Sequence, residues 1–431
     1  MTLLLFSIVK KTDHSDRTLL PMYLLFQKKI TFFVLFLALF ACEVKLFSEE
    51  KKTVLVLCSY GGYGHQAALQ TLDHLMGEKY HINVIYPIDE MNIFGVKSGE
   101  QFYNFMLQTG WIKPVNFITK HIAPKLFRSR RSAITSLIKR HISQTQPDLI
   151  ISLIPFINLS ASDAAHEMRV PYLVVTVDND LQTWVHGLQQ VDHPHFKVTV
   201  SSSDRKPRKM LKDRHIANHL IQTTGLPIRE DFFTPKDQKR IKENLGIDPH
   251  QPVILLTCGG VGGKQTLSYT EEISKMPLGA HLIVCAGKNE ALIHSLEKLT
   301  LHPTNRRTVM GFTSEIADLM AISDLIITKS GPGTITEAMT LERPLLIDAT
   351  GSILRWEKAN IDLVKEYKVG DVIHHLDELE PLLRKFLFDS EVRHEIQKAY
   401  HLVPPNRFQE EIIPLIESMC LLKSDSPYNE G

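Results

Sequence analysis

The sequence predicts an α/β protein with two Rossmann-like domains in tandem, each built on a parallel sheet. Apolar runs of strand length alternate with helical patterns after residue 52, as buried parallel strands joined by crossover helices require. Two of these runs, Val54–Ser59 and Val253–Cys258, are each followed by a glycine-rich turn. The two turns lie about one domain length apart, and we therefore expect each of them to open its own domain.

The composition is that of a folded protein and argues against several other classes. The 431 residues are 43% hydrophobic and 23% charged, unlike collagen, a disordered chain or a polytopic membrane protein. The 49 Lys and Arg residues balance 48 Asp and Glu residues, so no overall field attracts nucleic acid. The five cysteines are widely spaced and form no CxxC or Cys/His cluster. We therefore expect no disulfide scaffold and no structural zinc site. As separate expectations, the protein holds no other metal ion and no tightly bound cofactor.

The amino-terminal segment, residues 1–50, contains an apolar run that resembles a signal or an anchor. Ile30–Cys42 carries no charge in 13 residues and follows Lys28 and Lys29. A membrane span needs about 20 apolar residues, so the run has the size of a secretory-signal core. A partly inserted anchor is the alternative, and Met22 is an alternative start.

The first domain is expected over residues 51–225. After the opening strand and the Gly61–Gly64 turn, apolar residues recur at helical spacing from Ala67 to Leu75, which predicts a strand–turn–helix unit. Further buried strands are predicted at Leu149–Leu153, Tyr172–Val177 and Val198–Ser201.

The second domain is expected over residues 248–403, after a linker at 226–247 that is rich in proline and charge. Residues 404–431 are predicted to form a terminal helix, Arg407–Leu422, and a frayed polar tail. The buried strands of the second domain are predicted at Val253–Cys258, His281–Cys285, Leu325–Thr328 and Pro344–Ile347.

The segment Lys329–Glu337 (KSGPGTITE) carries the strongest chemical signal. Gly331 and Gly333 let backbone N–H groups approach a phosphate, and the dipole of the following helix favours that anion. Thr334 is expected to cap this helix, with Glu337 at capping-box spacing, where its carboxylate could also accept hydrogen bonds from ribose hydroxyls. A plain turn and cap is the alternative. The segment matches neither the dinucleotide glycine motif nor a Walker loop, which argues against dehydrogenases, P-loop NTPases and kinases.

Six short motifs stand in order between residues 53 and 400. They are Gly61–His65 with Gln66–Ala68, Gln146–Leu153, Trp184–His186, Thr224–Phe232, Lys329–Glu337 after Gly311 and Phe312, and Glu357–Asn360. Together they resemble the glycosyltransferase family that includes monogalactosyldiacylglycerol synthases, bacterial diacylglycerol glucosyltransferases and, more distantly, MurG. The resemblance implies a GT-B fold, in which two Rossmann-like domains face each other across a cleft, with a UDP-sugar held by the second domain and a lipid acceptor entering through the first.

The resemblance also implies a set of donor-binding residues. Within it, the second glycine loop and Ser330–Thr334 would surround the diphosphate, Phe312 would lie at the uracil, and Glu337 would hold the ribose. Glu357 and Asn360 would face the donor sugar. The full set is Gly61, Gly62, Gly64, Gly259, Gly260, Gly262, Gly263, Gly311, Phe312, Lys329, Ser330, Gly331, Pro332, Gly333, Thr334, Glu337, Glu357 and Asn360.

Two side chains are candidates for the base that deprotonates the acceptor. His65 follows the first glycine turn, and its imidazole titrates near neutrality. Asp178 stands at the end of the predicted strand Tyr172–Val177. A loop-supporting histidine and a turn-capping aspartate are the alternatives. The acceptor half departs from the family pattern, because Ile154 stands where the family has a histidine and the Asp178–Trp184 loop lacks another.

The predicted function is hexose transfer from a UDP-sugar to diacylglycerol or a related lipid. N-acetylglucosamine transfer to a polyprenyl-linked acceptor, sugar-nucleotide epimerisation and non-catalytic binding are the alternatives. Aromatic and basic residues along Phe102–Arg140, and six Lys or Arg in Arg205–Arg214, predict contact with an anionic membrane, although a solvated face is the alternative. UDP-sugars are cytosolic, so we expect the catalytic domains on the cytoplasmic face.

Overall fold

A computed structural model describes residues 51–91, 99–181, 184, 188, 191, 193–201, 205–213, 215–258 and 264–424. The predictions for the apolar run at residues 30–42 and for the terminal tail lie outside the described residues. The same holds for Gly259, Gly260, Gly262 and Gly263 and for the histidine of the Trp184–His186 motif.

The first six-stranded sheet has the order β2-β1-β3-β4-β5-β6, and its strands pair in parallel. Its two central strands, β3 and β4, are fully buried, as the continuous apolar runs predict. The strands are β1 Lys52–Leu57, β2 Tyr80–Ile85, β3 Leu149–Ser152, β4 Tyr172–Val174, β5 Phe196–Val200 and β6 Ile221–Thr223.

The second six-stranded sheet has the order β12-β11-β10-β7-β8-β9 and is also parallel. The predicted α/β architecture with two parallel sheets is confirmed. The strands are β7 Val253–Thr257, β8 His281–Cys285, β9 Arg306–Met310, β10 Leu325–Thr328, β11 Leu345–Asp348 and β12 Gly370–Ile373.

Helices cover the sheets and connect their strands. Between α4 and α5 a π-helical turn occupies Ile118–Ile122. The helices are α1 Tyr63–Met76, α2 Pro87–Glu90, α3 Gly99–Gln108, α4 Ile112–Phe117, α5 Ala123–Ser129, α6 Arg131–Thr145, α7 Asn158–Glu167, α8 Arg205–Lys212, α9 Gln238–Asn244, α10 Lys264–Lys275, α11 Glu290–Glu297, α12 Ile316–Ala321, α13 Pro332–Thr340, α14 Lys358–Tyr367, α15 Leu379–Phe388, α16 Ser390–Tyr400 and α17 Phe408–Ser424.

Each sheet has its own hydrophobic core. Two segments outside the sheets contribute residues to these cores. The predicted terminal helix forms as α17, and it returns to the first sheet, where Phe408, Ile412 and Ile416 are fully buried. The segment expected as a linker contributes Ile228 and Phe232 to the core of the second sheet. The first core therefore contains residues from both ends of the described chain.

The strand order places the glycine turns where a ligand of a parallel sheet binds. In each sheet the chain adds strands outward in both directions from one pair of neighbouring strands. This pair is β1 and β3 in the first sheet and β7 and β10 in the second. Ligands of such sheets bind beyond the carboxyl ends of the strands at this point. The Gly61–Gly64 turn follows β1, and the Lys329–Thr334 turn follows β10.

Candidate functional site

The first glycine turn is held by a side chain from another helix. Gly62 precedes α1 with φ 84°, a conformation that favours glycine. Its N–H donates to Asn104 Oδ1 (N···O 2.9 Å), and Asn104 Nδ2 donates to the carbonyl of Tyr60 (2.8 Å). The N–H of Gly61 donates to Ser59 Oγ (2.9 Å). The Gly61 and Gly62 amides are thus engaged within the protein. No local sequence pattern indicated this role for Asn104.

His65 lies in the first turn of α1, next to Trp184. The centroids of the two rings are 6.3 Å apart. Within the described part of the chain, Nδ1 of His65 is buried without a hydrogen-bond partner. Burial lowers the pKa of this imidazole to about 4, although a hydrogen bond to the backbone of Leu153 acts in the opposite direction. The ring is therefore neutral at pH 7, but it is a weak base.

Asp178 follows β4 and also contacts the Trp184 side chain. Trp184 Nε1 donates to Asp178 Oδ2 (3.0 Å). Burial raises the pKa of the Asp178 carboxyl to about 7; this hydrogen bond lowers it, and the charges of Glu357 and Asp180 raise it. A carboxyl that titrates near neutrality is suited to exchange a proton with substrate.

Groups from both sheets converge at Asp178. The Tyr103 phenol of α3 has a raised pKa, first through burial and then through the charges of Glu357 and Asp178. Burial also raises the pKa of Glu357, while Ser330 and the charge of Lys329 lower it. Glu357 directly precedes α14 in the second half. Asp178 of the first half therefore lies within electrostatic range of Glu357, a carboxylate of the second half.

The helix after the second-half turn begins earlier than the sequence predicted. The prediction that Thr334 caps it is wrong, because α13 starts at Pro332 with Gly331 as its N-cap, and proline is favoured at the first helical position. Thr334 lies inside the first turn. A Cβ added at Gly331 or Gly333 would meet no atom within 4 Å, so space for an anion is open at this helix N-terminus.

Glu337 lies farther along α13 and is half-buried. Burial raises the pKa of its carboxyl to about 7, and the charge of Arg229 opposes the shift. Arg229 donates from Nη1 to the carbonyl of Ser314 (3.3 Å). Near pH 7 the Glu337 carboxyl is thus partly protonated and partly ionised, and the ionised form can accept hydrogen bonds from hydroxyl groups of a ligand.

Asn360 differs from the expectation that it faces the donor sugar. It is 1% exposed, and both ends of its amide are engaged. Its Nδ2 donates to the carbonyl of Ser330 (2.7 Å), and its Oδ1 accepts from Asn179 Nδ2 (2.8 Å). Ser330 Oγ in turn donates to Glu357 Oε2 (2.9 Å). In this structure Asn360 supports the turn after β10.

Phe312, expected at the uracil, is an exposed aromatic ring. It follows β9 and Gly311 and is 61% exposed. Lys288 Nζ lies 5.1 Å from the ring centroid. A flat, accessible ring beside a cation suits stacking on a base.

The helices before α6 expose apolar and basic side chains together. Phe117, Ile122 and Lys125 line an open groove of about 640 Å³. Of the aromatic residues expected at a membrane, Phe127 is buried and Tyr103 is half-buried. The exposed apolar face consists of Phe102, Phe105, Trp111, Phe117 and Ile122.

Some of the cations expected at the membrane are paired with acids instead. Arg131 binds Asp163 through two nitrogens (2.6 and 2.8 Å), and Lys139 binds Glu167 (2.6 Å). Across the described ranges, no helix is long and apolar enough to cross a membrane. In the same residues, no group of three or more His, Cys, Asp or Glu side chains could hold a metal ion.

Comparison with known proteins relates the second half of the chain to a glycosyltransferase domain. Residues 253–347, which contain β7 to β11 and the turn before α13, match the glycosyltransferase family 28 C-terminal domain. This stretch is thus similar to a glycosyltransferase domain. The family resemblance expected from the motifs is confirmed.

Two relatives match over both halves. The chain is 25% identical over 346 residues to a chloroplastic monogalactosyldiacylglycerol synthase of Spinacia oleracea, a match that covers 75% of this chain and 63% of that enzyme. The chain thus spans less than two thirds of this plant relative. It is also 25% identical over 366 residues to a processive diacylglycerol β-glucosyltransferase of Bacillus licheniformis, covering 81% of this chain and 90% of that enzyme.

Solved structures show the same fold. The crystal structure of MurG from Acinetobacter baumannii has a TM-score of 0.57 and 14% identity, and the match covers 86% of this chain and all of that chain. The expected GT-B fold is confirmed.

Proposed function

We propose that the protein is a glycosyltransferase that moves a hexose from a UDP-sugar to diacylglycerol or a related membrane lipid. The observation that carries the proposal is that Asp178, whose pKa is about 7, interacts with the charge of Glu357, and that Glu357 accepts a hydrogen bond from Ser330, directly before the open N-terminus of α13. This arrangement combines a base with an anion site. The names of the two relatives, both diacylglycerol-related enzymes by title, support the lipid acceptor.

In the proposed reaction the acceptor hydroxyl attacks the anomeric carbon of the donor. A C–O bond forms there, the bond from this carbon to the UDP oxygen breaks, and the hydroxyl proton passes to Asp178. Configuration at the anomeric carbon inverts. Asp178 suits the role of base better than His65, because a pKa near 7 combines a substantial ionised fraction with real basicity. His65, neutral and beside Trp184, shapes the acceptor pocket.

The second half would hold the donor. The departing UDP carries negative charge on its diphosphate, which the amides and dipole of the α13 N-terminus stabilise. Glu337 would accept hydrogen bonds from the ribose hydroxyls, and Phe312 would stack on the uracil. In this proposal residues 51–225 bind the acceptor and residues 248–403 bind the donor.

The exposed apolar face would bring the enzyme to its acceptor. Phe102, Phe105, Trp111 and Phe117 can enter the interfacial region of a bilayer, while cations such as Lys125 attract anionic lipid headgroups. We place the catalytic domains on the cytoplasmic side, where UDP-sugars occur. The MurG match supports the fold and gives no reason to prefer a polyprenyl-linked acceptor.

Product analysis tests the proposal directly. Purified protein is incubated with labelled UDP-glucose, UDP-galactose or UDP-N-acetylglucosamine and with vesicles that contain either diacylglycerol or a polyprenyl-linked acceptor. Wild type should form a labelled hexosyl-diacylglycerol, and Asp178→Asn should not. Labelled product from UDP-N-acetylglucosamine on a polyprenyl-linked acceptor alone would overturn the acceptor assignment. UDP binding without glycolipid from any donor would mean that the protein is a binder.

A further inference from the structure

Asn116 in α4 connects the first half to the loop that precedes Glu357. Its Nδ2 donates to the carbonyl of Ile353 (2.9 Å), and its Oδ1 accepts from the N–H of Arg355 (2.8 Å). Both ends of one amide are thus bound to a single backbone segment, two residues before the carboxylate. A side chain with one donor and one acceptor fixes both the position and the direction of that segment.

Apolar side chains surround this pair of hydrogen bonds. Met106 and Val115 from the first half pack with Leu354 from the second in one small cluster. All three residues are buried. Because both hydrogen bonds are partly buried, losing them leaves backbone groups that are only partly compensated by water.

A second amide, Asn179, makes a parallel connection. Asn179 Nδ2 donates to Asn360, Asn360 donates to the carbonyl of Ser330, and the Ser330 hydroxyl donates to Glu357 Oε2. Asn179, Asn360 and Ser330 are 4%, 1% and 2% exposed. This buried chain begins directly after the base candidate Asp178 and ends at the donor-side carboxylate.

We infer that Asn116 and Asn179 are positioning residues that complete the donor site from the acceptor half. Neither side chain reaches the donor itself. Asn116 sets the loop before Glu357, and Asn179 sets Ser330 through Asn360, so both act on the carboxylate that faces the donor sugar. The inference rests on the proposed function and adds that sugar recognition depends on two residues of the first half.

Donor binding in the full chain, measured by calorimetry with UDP-glucose and UDP-galactose, is the first test. The Asn116→Ala variant should bind the preferred donor about 5- to 50-fold more weakly, the scale of two lost hydrogen bonds. Its affinity for UDP alone should change less, because Glu357 is assigned to the sugar. In turnover, the donor KM should rise while the acceptor KM and the kcat at saturating donor stay close to wild type.

Thr119→Ala is the matched control. Its hydroxyl donates to the carbonyl of Val115 (2.8 Å) within the same helical segment, so its loss perturbs the segment without touching the loop before Glu357. Donor affinity should remain at the wild-type value. If Thr119→Ala weakens the donor as much as Asn116→Ala does, the effect is general loosening and the inference fails.

A double-mutant cycle separates positioning from general destabilisation. If Asn116 acts through Glu357, Asn116→Ala should have little further effect on donor affinity in the Glu357→Ala background. Additive losses would overturn the inference. Should Asn116→Ala not fold, Asn179→Ala takes its place in the same cycle. A wild type that binds no UDP-sugar contradicts the proposed function, whereas normal donor affinity in a folded variant contradicts this inference alone.

Discussion

At the scale of single residues, Asp178 and His65 both lie next to Trp184, and burial shifts their pKa values in opposite directions, to about 7 and about 4. If Asp178 is the base, kcat/KM should fall as pH drops below about 7, because the carboxyl gains a proton. Asp178→Asn should lower kcat by a factor of roughly 10²–10⁴ and should abolish this fall of kcat/KM at acidic pH. An acidic limb that survives in Asp178→Asn and disappears in His65→Ala would assign the base to His65.

Glu337 gives a second pH prediction, for donor binding. Its pKa of about 7 means that a proton must leave before the carboxylate can accept two ribose hydrogen bonds. Affinity for a UDP-sugar should therefore decrease as pH falls through 7, and Glu337→Gln should lose this slope. Glu337→Ala should weaken binding by about 1–3 kcal/mol. Calorimetric titration at several pH values measures both, with the exposed Glu297 of α11 changed to Gln as control.

His193 predicts how pH affects stability. The ring is buried, its Nε2 donates to the carbonyl of Val170 (2.8 Å), and its Nδ1 accepts from the N–H of His195 (3.0 Å). Burial lowers the pKa of His193 to about 4. The unfolded chain therefore takes up a proton near pH 6.5 while the folded chain does not, and stability present above pH 6.5 is lost progressively towards pH 4.

The difference between wild type and His193→Gln isolates this contribution. Urea unfolding at pH 7.5, 6, 5 and 4.5 should show the free energies of unfolding of the two proteins converging as pH falls. Asp178 and Glu337 have raised pKa values, so they increase the free energy of unfolding as pH falls. This contribution is the same in both proteins and cancels when their free energies of unfolding are subtracted. A constant difference across this range would contradict the assignment.

At the scale of elements, the helices from α3 to α5 carry the exposed apolar face. A Trp111→Ser/Phe117→Ser double variant should bind anionic vesicles more weakly, since both rings are exposed. Wild-type binding should also weaken with added salt, because the cations act through screened charge. Phe388→Ser is the matched control, an exposed aromatic residue of α15 in the second half. Co-sedimentation measures binding, and salt-insensitive binding to neutral vesicles would contradict the prediction.

The strands that the sequence predicted and those it missed differ in their place in the sheets. The eight predicted strands are the inner ones, whereas β2, β6, β9 and β12 are the edges. An inner strand is covered on both faces and flanked on both sides, so it reads as an apolar run. An edge strand is more accessible: β9 begins with Arg306 and Arg307 and has no fully buried residue. Edge strands therefore lack the continuous apolar run from which the inner strands were predicted.

At the scale of the whole molecule, the sequence located the site only in part. Local motifs predicted the glycine turns, Asp178 and the segment before α13, since each depends on a few consecutive residues. Asn104, Asn116 and Asn179 were missed. Asn116 contacts Ile353 and Arg355 across 237 and 239 residues of sequence, and nothing in the sequence around an asparagine announces such a partner. The start of α13 was misplaced because the Thr334 capping pattern was given more weight than Pro332.

The return of α17 to the first sheet has a consequence for biosynthesis. The first half leaves the ribosome early, yet Phe408, Ile412 and Ile416 of its core are made after the entire second half. Until they emerge, the first sheet exposes the apolar surface that these residues cover, and such surface is prone to aggregation. The core of the second half lies within one continuous stretch of chain. The second half can therefore fold before the first half is complete. A chaperone that covers this surface during that interval would therefore favour correct folding of the nascent protein.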